Sequence, residues 1–197
     1  MKINVFKILN KTAVEGPGVR FCIWVQGCSR HCSGCFAKST WSHNPNKLIS
    51  VNDVFDLIKK QKDIEGVTFL GGEPFEQAQS LSELARLVQK FGLSVMTFTG
   101  GNYDELKKSK DKYVIELLKN TDLLVDGEFK QDDFDLSRPW VGSKNQRYIF
   151  LSDRYCESDI LKYKNKLEMR IDKNGVIFVN GMADFANLKK SLCLQNR

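Results

Sequence analysis

Between residues 18 and 127 the chain alternates short apolar runs with helix-length amphipathic runs, and each apolar run ends at a glycine turn. The apolar runs are "GVRFCIWVQG" (18–27), "GVTFLGG" (66–72), "LSVMTFTGG" (93–101) and "TDLLVDG" (121–127). Between them lie "SVNDVFDLIKKQK" (50–62), "QAQSLSELARLVQKFG" (77–92) and "YDELKKSKDKYVIELLKN" (103–120). The first places Val54, Leu57 and Ile58 at helical spacing, with Ser50 or Asn52 as cap. The second places Leu81, Leu84, Ala85 and Val88 on one helix face and stops at Gly92. The third reads as helical with an interruption. Strands joined by connections of that length run parallel through right-handed crossovers. Runs this short and apolar suit a sheet covered by helices. In such sheets a ligand binds beyond the carboxyl ends of the strands. Gly27, Gly71, Gly72, Gly100, Gly101 and Gly127 mark those ends.

The remainder is less regular. "EFKQDDFDLSRPWVGSKNQ" is a polar loop, "RYIFLS" (147–152) a last strand, and "LEMRIDKNGVIFVNG" (167–181) a hairpin turning at Lys173-Asn174-Gly175. The 197 residues suit one domain with an appendage: a core over 1–150 and an extension over 151–197 that belongs to the same domain and is expected to cover a sheet edge, with a docking surface as the alternative. "MKINVFKILNK" at the start alternates apolar and polar residues and lacks the apolar stretch of a secretory signal. No apolar run approaches membrane-spanning length, so a cytoplasmic protein is expected, with no membrane partner. The net charge of +6 comes from scattered residues, which suits a solvated surface rather than nucleic-acid binding. It would help dock an acidic partner or an anionic substrate.

Three of the six cysteines cluster as Cys28-x3-Cys32-x2-Cys35 in "GCSRHCSGCF", directly after Gly27. Cysteines of a reducing compartment serve as metal ligands or free thiols more often than as disulfides. Cys22, Cys156 and Cys193 stand alone and read as small apolar residues or bystanders. Three clustered ligands leave two readings. With His43 they would make a Cys3His zinc site, His31 staying exposed. Alternatively they would hold a 4Fe-4S cube by three corners and leave one iron open for a small molecule, a catalytic arrangement.

The spacing Cys28-x3-Cys32-x2-Cys35 resembles the signature of the radical S-adenosylmethionine enzymes. "EGPGVRF" (15–21) resembles the GPG-x-R loop of glycyl-radical-enzyme activators, and "CSGCFAKSTW" (32–41) the corresponding segment of the anaerobic ribonucleotide reductase activators. "LGGEPFEQ" (70–77), "LLVDGEFKQD" (123–132) and "WVGSKNQR" (140–147) are similar to motifs of that subfamily, in the same order. The likeness covers roughly residues 3–150. Gly34 stands before the third cysteine and Phe36 after it, where most radical S-adenosylmethionine enzymes carry the aromatic before; the reductase activators share this displacement.

The resemblance implies an α/β fold: a partial (β/α) barrel of mainly parallel strands, of radical S-adenosylmethionine type, with a C-terminal extension. It implies a 4Fe-4S cluster on Cys28, Cys32 and Cys35, with S-adenosylmethionine on the open iron. Gly34, Cys35 and Phe36 would flank the cofactor, Phe36 packing against adenine. Gly71, Gly72, Glu73 and Pro74 would take the methionyl amino group. Thr99 and Gly100, with Gly101, would meet the ribose or methionyl carboxylate, and Asp126 the ribose hydroxyls. Lys130 or Arg20 would pair with a carboxylate. No side chain reads as an acid–base pair or nucleophile, which suits radical chemistry. The implied partner is a large glycyl radical enzyme, the anaerobic ribonucleotide reductase, with an electron donor of flavodoxin or ferredoxin type. A different glycyl radical enzyme, a peptide or a small molecule is the alternative substrate, and a zinc-binding module the alternative class.

Overall fold

The computed structural model describes residues 1–183. Its centre is the expected alternation. Strands β1 (Lys2–Thr12), β2 (Arg20–Val25), β3 (Lys47–Ser50), β4 (Gly66–Gly71), β5 (Ser94–Phe98), β6 (Leu123–Asp126) and β7 (Arg147–Phe150) form one sheet in the order β3-β1-β2-β4-β5-β6-β7. The three central pairings, β2–β4, β4–β5 and β5–β6, are parallel. The pairings β1–β2, β1–β3 and β6–β7 are antiparallel. The molecule is therefore a mixed α/β structure with a parallel centre and antiparallel flanks.

Two strands go beyond the sequence expectations. The apolar–polar alternation at the amino terminus is β1, which buries Ile3 and Val5 and pairs on both sides. The short β3 follows the cysteine segment and pairs antiparallel with β1 as the outermost strand.

Several helix ends fall where the sequence offers a cap or a stop. Ser50 caps α1 (Val51–Lys59), its Oγ accepting the Asp53 N–H at 3.0 Å and donating to the Asp53 carboxylate at 2.6 Å. Helix α2 (Ala78–Lys90) ends before Gly92, whose φ of 89° reverses the chain. The interruption expected in 103–120 divides α3 (Tyr103–Leu106) from α4 (Lys112–Lys119), and Asp111 caps the latter.

The strands show period-two burial. Phe21, Ile23, Val25, Val67, Phe69, Val95 and Leu124 pack with α1, α2 and α4 in one cluster. The alternate residues, Cys22, Trp24, Leu70, Met96, Phe98, Leu123 and Val125, face the other side. Successive strands β2, β4, β5 and β6 are neighbours, and the helices after them share one core cluster. The second face therefore needs another cover. Trp140, Val141, Tyr155 and Ile160 supply it over β5 and β6, the last from the short α5 (Glu157–Ile160). Over β1 and β2 it comes from a separate two-stranded sheet, β8 (Leu167–Ile171) with β9 (Ile177–Gly181). That is the expected hairpin, but it does not cover a sheet edge. Phe178 packs edge-on against Trp24, an interior strand, at 6.4 Å between centroids. An apolar face left bare by the helices is a stronger attractor than an edge. Among the described residues no helix is long and apolar enough to cross a membrane.

Candidate cofactor site

Strand β2 runs into Gly27, and the loop beyond carries the three clustered cysteines. Its base is closed by backbone: Gly27 N–H donates to the Thr40 carbonyl at 2.7 Å and Cys28 N–H to that of Trp41 at 3.1 Å. A tight turn inside it brings Cys35 N–H to the Cys32 carbonyl at 3.2 Å. Cys28, Cys32 and Cys35 are all free thiols. Burial pushes the Cys28 thiol up, and burial with Glu128 and Cys35 nearby pushes Cys32 to about 11. Such thiols need a cation to ionise.

The two readings of the donor set differ in their fourth ligand, which the zinc reading takes from His43. His43 is engaged elsewhere: its Nε2 meets Glu76 at 2.8 Å, and Glu76 also accepts Ser29 N–H at 2.8 Å. His31 is exposed and stacks on Trp41 at 4.5 Å.

The turn after β4 lies against the start of this loop. Glu73 N–H donates to the Gly27 carbonyl at 2.8 Å and Gly72 N–H to the Val25 carbonyl at 2.9 Å. A Cβ on Gly72 would stand 2.1 Å from the Gly27 oxygen, so only glycine permits the approach. Pro74 begins a single turn of 3-10 helix in which Pro74 and Phe75 are buried.

Glu73 is 3% exposed and fully engaged. It accepts Phe75 N–H at 3.1 Å, Thr99 Oγ at 2.8 Å, Gly100 N–H at 3.0 Å and Arg30 Nε at 3.1 Å. Its visible work is to tie the cysteine loop, through Arg30, to the ends of β4 and β5. Burial is the largest influence on Glu73 and raises its pKa, while those hydrogen bonds and Arg30 pull it back.

Asp126 is likewise committed. Arg147 grips it through Nε at 3.0 Å and a terminal nitrogen at 2.5 Å, and Tyr103 N–H adds a third bond at 2.8 Å. Lys130 is exposed. Arg20 lies at the start of β2, away from the loop, and is fully buried. Its expected pairing with a ligand carboxylate does not fit that place, because its donors go to Thr68, Ser94, Tyr155 and the Pro17 and Val67 carbonyls.

A cavity of about 360 Å³ lies on the face opposite α1, α2 and α4, between the cysteine loop and the β8–β9 hairpin. Trp24, Leu70 and Phe98 form its floor, Cys35, Phe36 and Gly71 one side, and Phe178 and Asn180 another. Phe36 is 59% exposed and packs on Phe129 at 5.8 Å, so it stands at the mouth rather than in a core. Gly34 has a φ of 73° and passes so close to Gln131 that a Cβ would overlap its amide. Of the expected site residues, Cys35, Phe36 and Gly71 line this cavity. Cys28, Cys32, Gly34, Gly72, Glu73, Pro74, Thr99, Gly100 and Asp126 are not among its lining residues.

Other lining residues were not singled out by the sequence. Glu15 sits inside the quoted "EGPGVRF" stretch, so its signal was present. Asn180 and Phe178 carried none beyond their place in a hairpin. The "WVGSKNQR" segment gains a role: Asn145 Nδ2 donates to the Glu128 carbonyl at 2.8 Å and Gln146 Nε2 to that of Gly127 at 3.2 Å. These bonds staple the loop after β6 beside the cysteines.

The family profile of the "4Fe-4S single cluster domain" matches residues 14–149. The anaerobic ribonucleoside-triphosphate reductase-activating protein of Escherichia coli K12 is 36% identical over 146 residues, covering 68% of this chain and 89% of its own. The protein of the same name in Enterobacteria phage T4 is 31% identical over 166 residues, covering 80% of this chain and 100% of its own. That of Vibrio cholerae is 34% identical over 142 residues, covering 68% and 88%. The crystal structure of QueE from Escherichia coli aligns over 51% of this chain and 54% of its own, with 23% identity and a TM-score of 0.44, too slight a likeness to argue from.

Proposed function

Because this chain belongs to the anaerobic ribonucleoside-triphosphate reductase-activating proteins, with their 4Fe-4S single cluster domain, we propose that it generates the glycyl radical of such a reductase. When bound, the cluster supplies one electron to the sulfonium of S-adenosylmethionine, giving methionine and a 5′-deoxyadenosyl radical that takes the α-hydrogen of a glycine in the reductase. The observation that carries this reading is three free thiols in one backbone-closed loop, at the carboxyl end of a parallel strand and beside a cavity.

Cys28, Cys32 and Cys35 hold the cluster and leave one iron for the cofactor. Gly71 and Gly72 bring backbone close to it, and the Arg30–Glu73 pair keeps the cysteine loop in register with the ends of β4 and β5. Trp24, Leu70 and Phe98 exclude water from the cofactor. Thr99, Gly100 and Asp126 act by shaping the strand-end turns. The sheet is read as a partial (β/α) barrel whose inner face is the one opposite α1, α2 and α4. Residues 1–150 form its core and 151–197 an extension of the same domain. Reduction comes from a flavodoxin- or ferredoxin-type donor, acidic enough to meet a chain of net charge +6.

The test is anaerobic reconstitution of the full chain. Iron and sulfide at about four each per chain, methionine and 5′-deoxyadenosine released with dithionite, and a glycyl-radical resonance on mixing with the reductase are expected. Cys32→Ala abolishes all three. One zinc per chain without cleavage, or undiminished cleavage by Cys32→Ala, overturns the reading. Cleavage without a radical on the reductase moves the substrate to another glycyl radical enzyme, a peptide or a small molecule.

A further inference from the structure

The β8–β9 hairpin lies beyond residues 14–149, the stretch matched by the family profile, yet it walls the cavity. Asn180 on β9 is 6% exposed and lines that cavity. Its Nδ2 donates to Thr12 Oγ at 3.1 Å and to Glu15 Oε1 at 3.2 Å. The Thr12 hydroxyl gives its own proton to Glu168, so toward Asn180 it accepts. Glu15 Oε1 also accepts Gly181 N–H at 2.7 Å. Two acceptors thus fix the amide orientation, and Asn180 Oδ1 is left buried with no partner among the described residues.

A buried acceptor with no donor is destabilising. Its location suggests where the donor comes from. The methionyl end of S-adenosylmethionine must reach the cysteine side of the cavity, near Cys35 and Gly71. The hairpin wall then faces the nucleoside end, over the aromatic floor of Trp24 and Phe98. We propose that Asn180 Oδ1 accepts a hydrogen bond from the nucleoside half of the cofactor, from the adenine amino group or a ribose hydroxyl. The hairpin is then part of the cofactor site. This rests on the S-adenosylmethionine reading above.

The probe is S-adenosylhomocysteine, which is not cleaved, titrated by equilibrium dialysis into the anaerobically reconstituted full chain. Asn180→Leu is expected to weaken binding about three- to ten-fold, the range of one neutral hydrogen bond, with iron content unchanged. Analogues carrying an N6,N6-dimethyl group, or lacking the 2′ or 3′ hydroxyl, identify the donor. One of them is expected to weaken binding to the natural chain by a similar factor and to Asn180→Leu no further. Equal affinity of the natural chain and Asn180→Leu for S-adenosylhomocysteine overturns the proposal. So does a loss in the variant that persists in full for every analogue, because that marks a packing role. Should Asn180→Leu lose its iron, Asn180→Ser is titrated in its place, with the same two outcomes. A cluster-loaded natural chain that binds neither S-adenosylhomocysteine nor S-adenosylmethionine overturns the functional reading instead.

Discussion

The two ends of the parallel strands hold their polar groups in opposite ways. At the amino end Arg20, fully buried, spends its guanidinium on Thr68 Oγ at 2.6 Å, Ser94 Oγ at 3.0 Å, the Pro17 carbonyl at 3.1 Å and the Val67 carbonyl at 2.7 Å. Tyr155 joins from the segment after β7 and passes the network on to Ser94 and Glu65. At the carboxyl end Glu73 is equally satisfied, but beside it stand three free thiols and a glycine backbone. One end closes on itself and fixes how the strands lie. The other commits its carboxylates to the protein as well, but also presents three free thiols. A sheet can hold a reactive loop because its far end is locked.

The largest expected effect would break that division at the carboxyl end. Gly72→Ala places a Cβ 2.1 Å from the Gly27 oxygen, and backbone must move. A displacement near 1 Å at the reacting centre costs about a hundred-fold in rate. S-adenosylmethionine cleavage should fall by that order while the thermal midpoint moves little. A midpoint collapse with normal cleavage per folded molecule would refute the division.

Arg20→Met is the reverse case. It strands Thr68, Ser94 and two carbonyls, and should lower unfolding free energy by about 3 kcal/mol in urea titration. Iron bound per folded chain should stay the same. Lost iron in a still-folded variant would mean the two ends are coupled.

Glu15 lies between these extremes. Burial pushes its carboxyl from the ordinary 4.5 to about 7, with Glu168 of β8 adding to the rise and the Asn180 and Gly181 hydrogen bonds opposing it. The folded chain keeps this proton over a pH range in which the unfolded chain has lost it. Glu15 therefore makes stability fall as pH rises from about 4.5 to about 7, and contributes no slope above that. Glu15→Gln should remove a contribution of about 1–3 kcal/mol to that decline. Urea midpoints across the range check it, and an unchanged slope would place the charge elsewhere.

The smallest effect is expected far from both ends. Arg86 and Glu83 form an ion pair on the surface of α2, and Arg86→Ala should change stability by less than about 0.5 kcal/mol.

Much of this was legible in the sequence. The glycines after β2, β4, β5 and β6 marked the strand ends, Ser50 and Gly92 bounded helices, and the cysteine spacing pointed to an open cluster. The amino-terminal strand was harder to read, because β1 is bulged where its pairing to β2 shifts after Val5 and again after Leu9. Arg20, Glu73 and Asp126 have partners that were hard to read, for a shared reason. Each is a charged residue at a strand end, and each spends its charge on the protein's own groups, which no local pattern reveals.

The sequence alone determined what depends on near neighbours: the strand–helix period, the caps, the turns and three thiols within eight residues. Only the tertiary structure decided that the hairpin leaves the sheet edge for the face opposite α1, α2 and α4 and brings Asn180 to Glu15, 165 positions away. The physical reason is that helices after successive parallel strands buried one face and left the other apolar. Trp140, Tyr155, Ile160 and the β8–β9 hairpin then cover that face, a choice set by burial area rather than by any local signal.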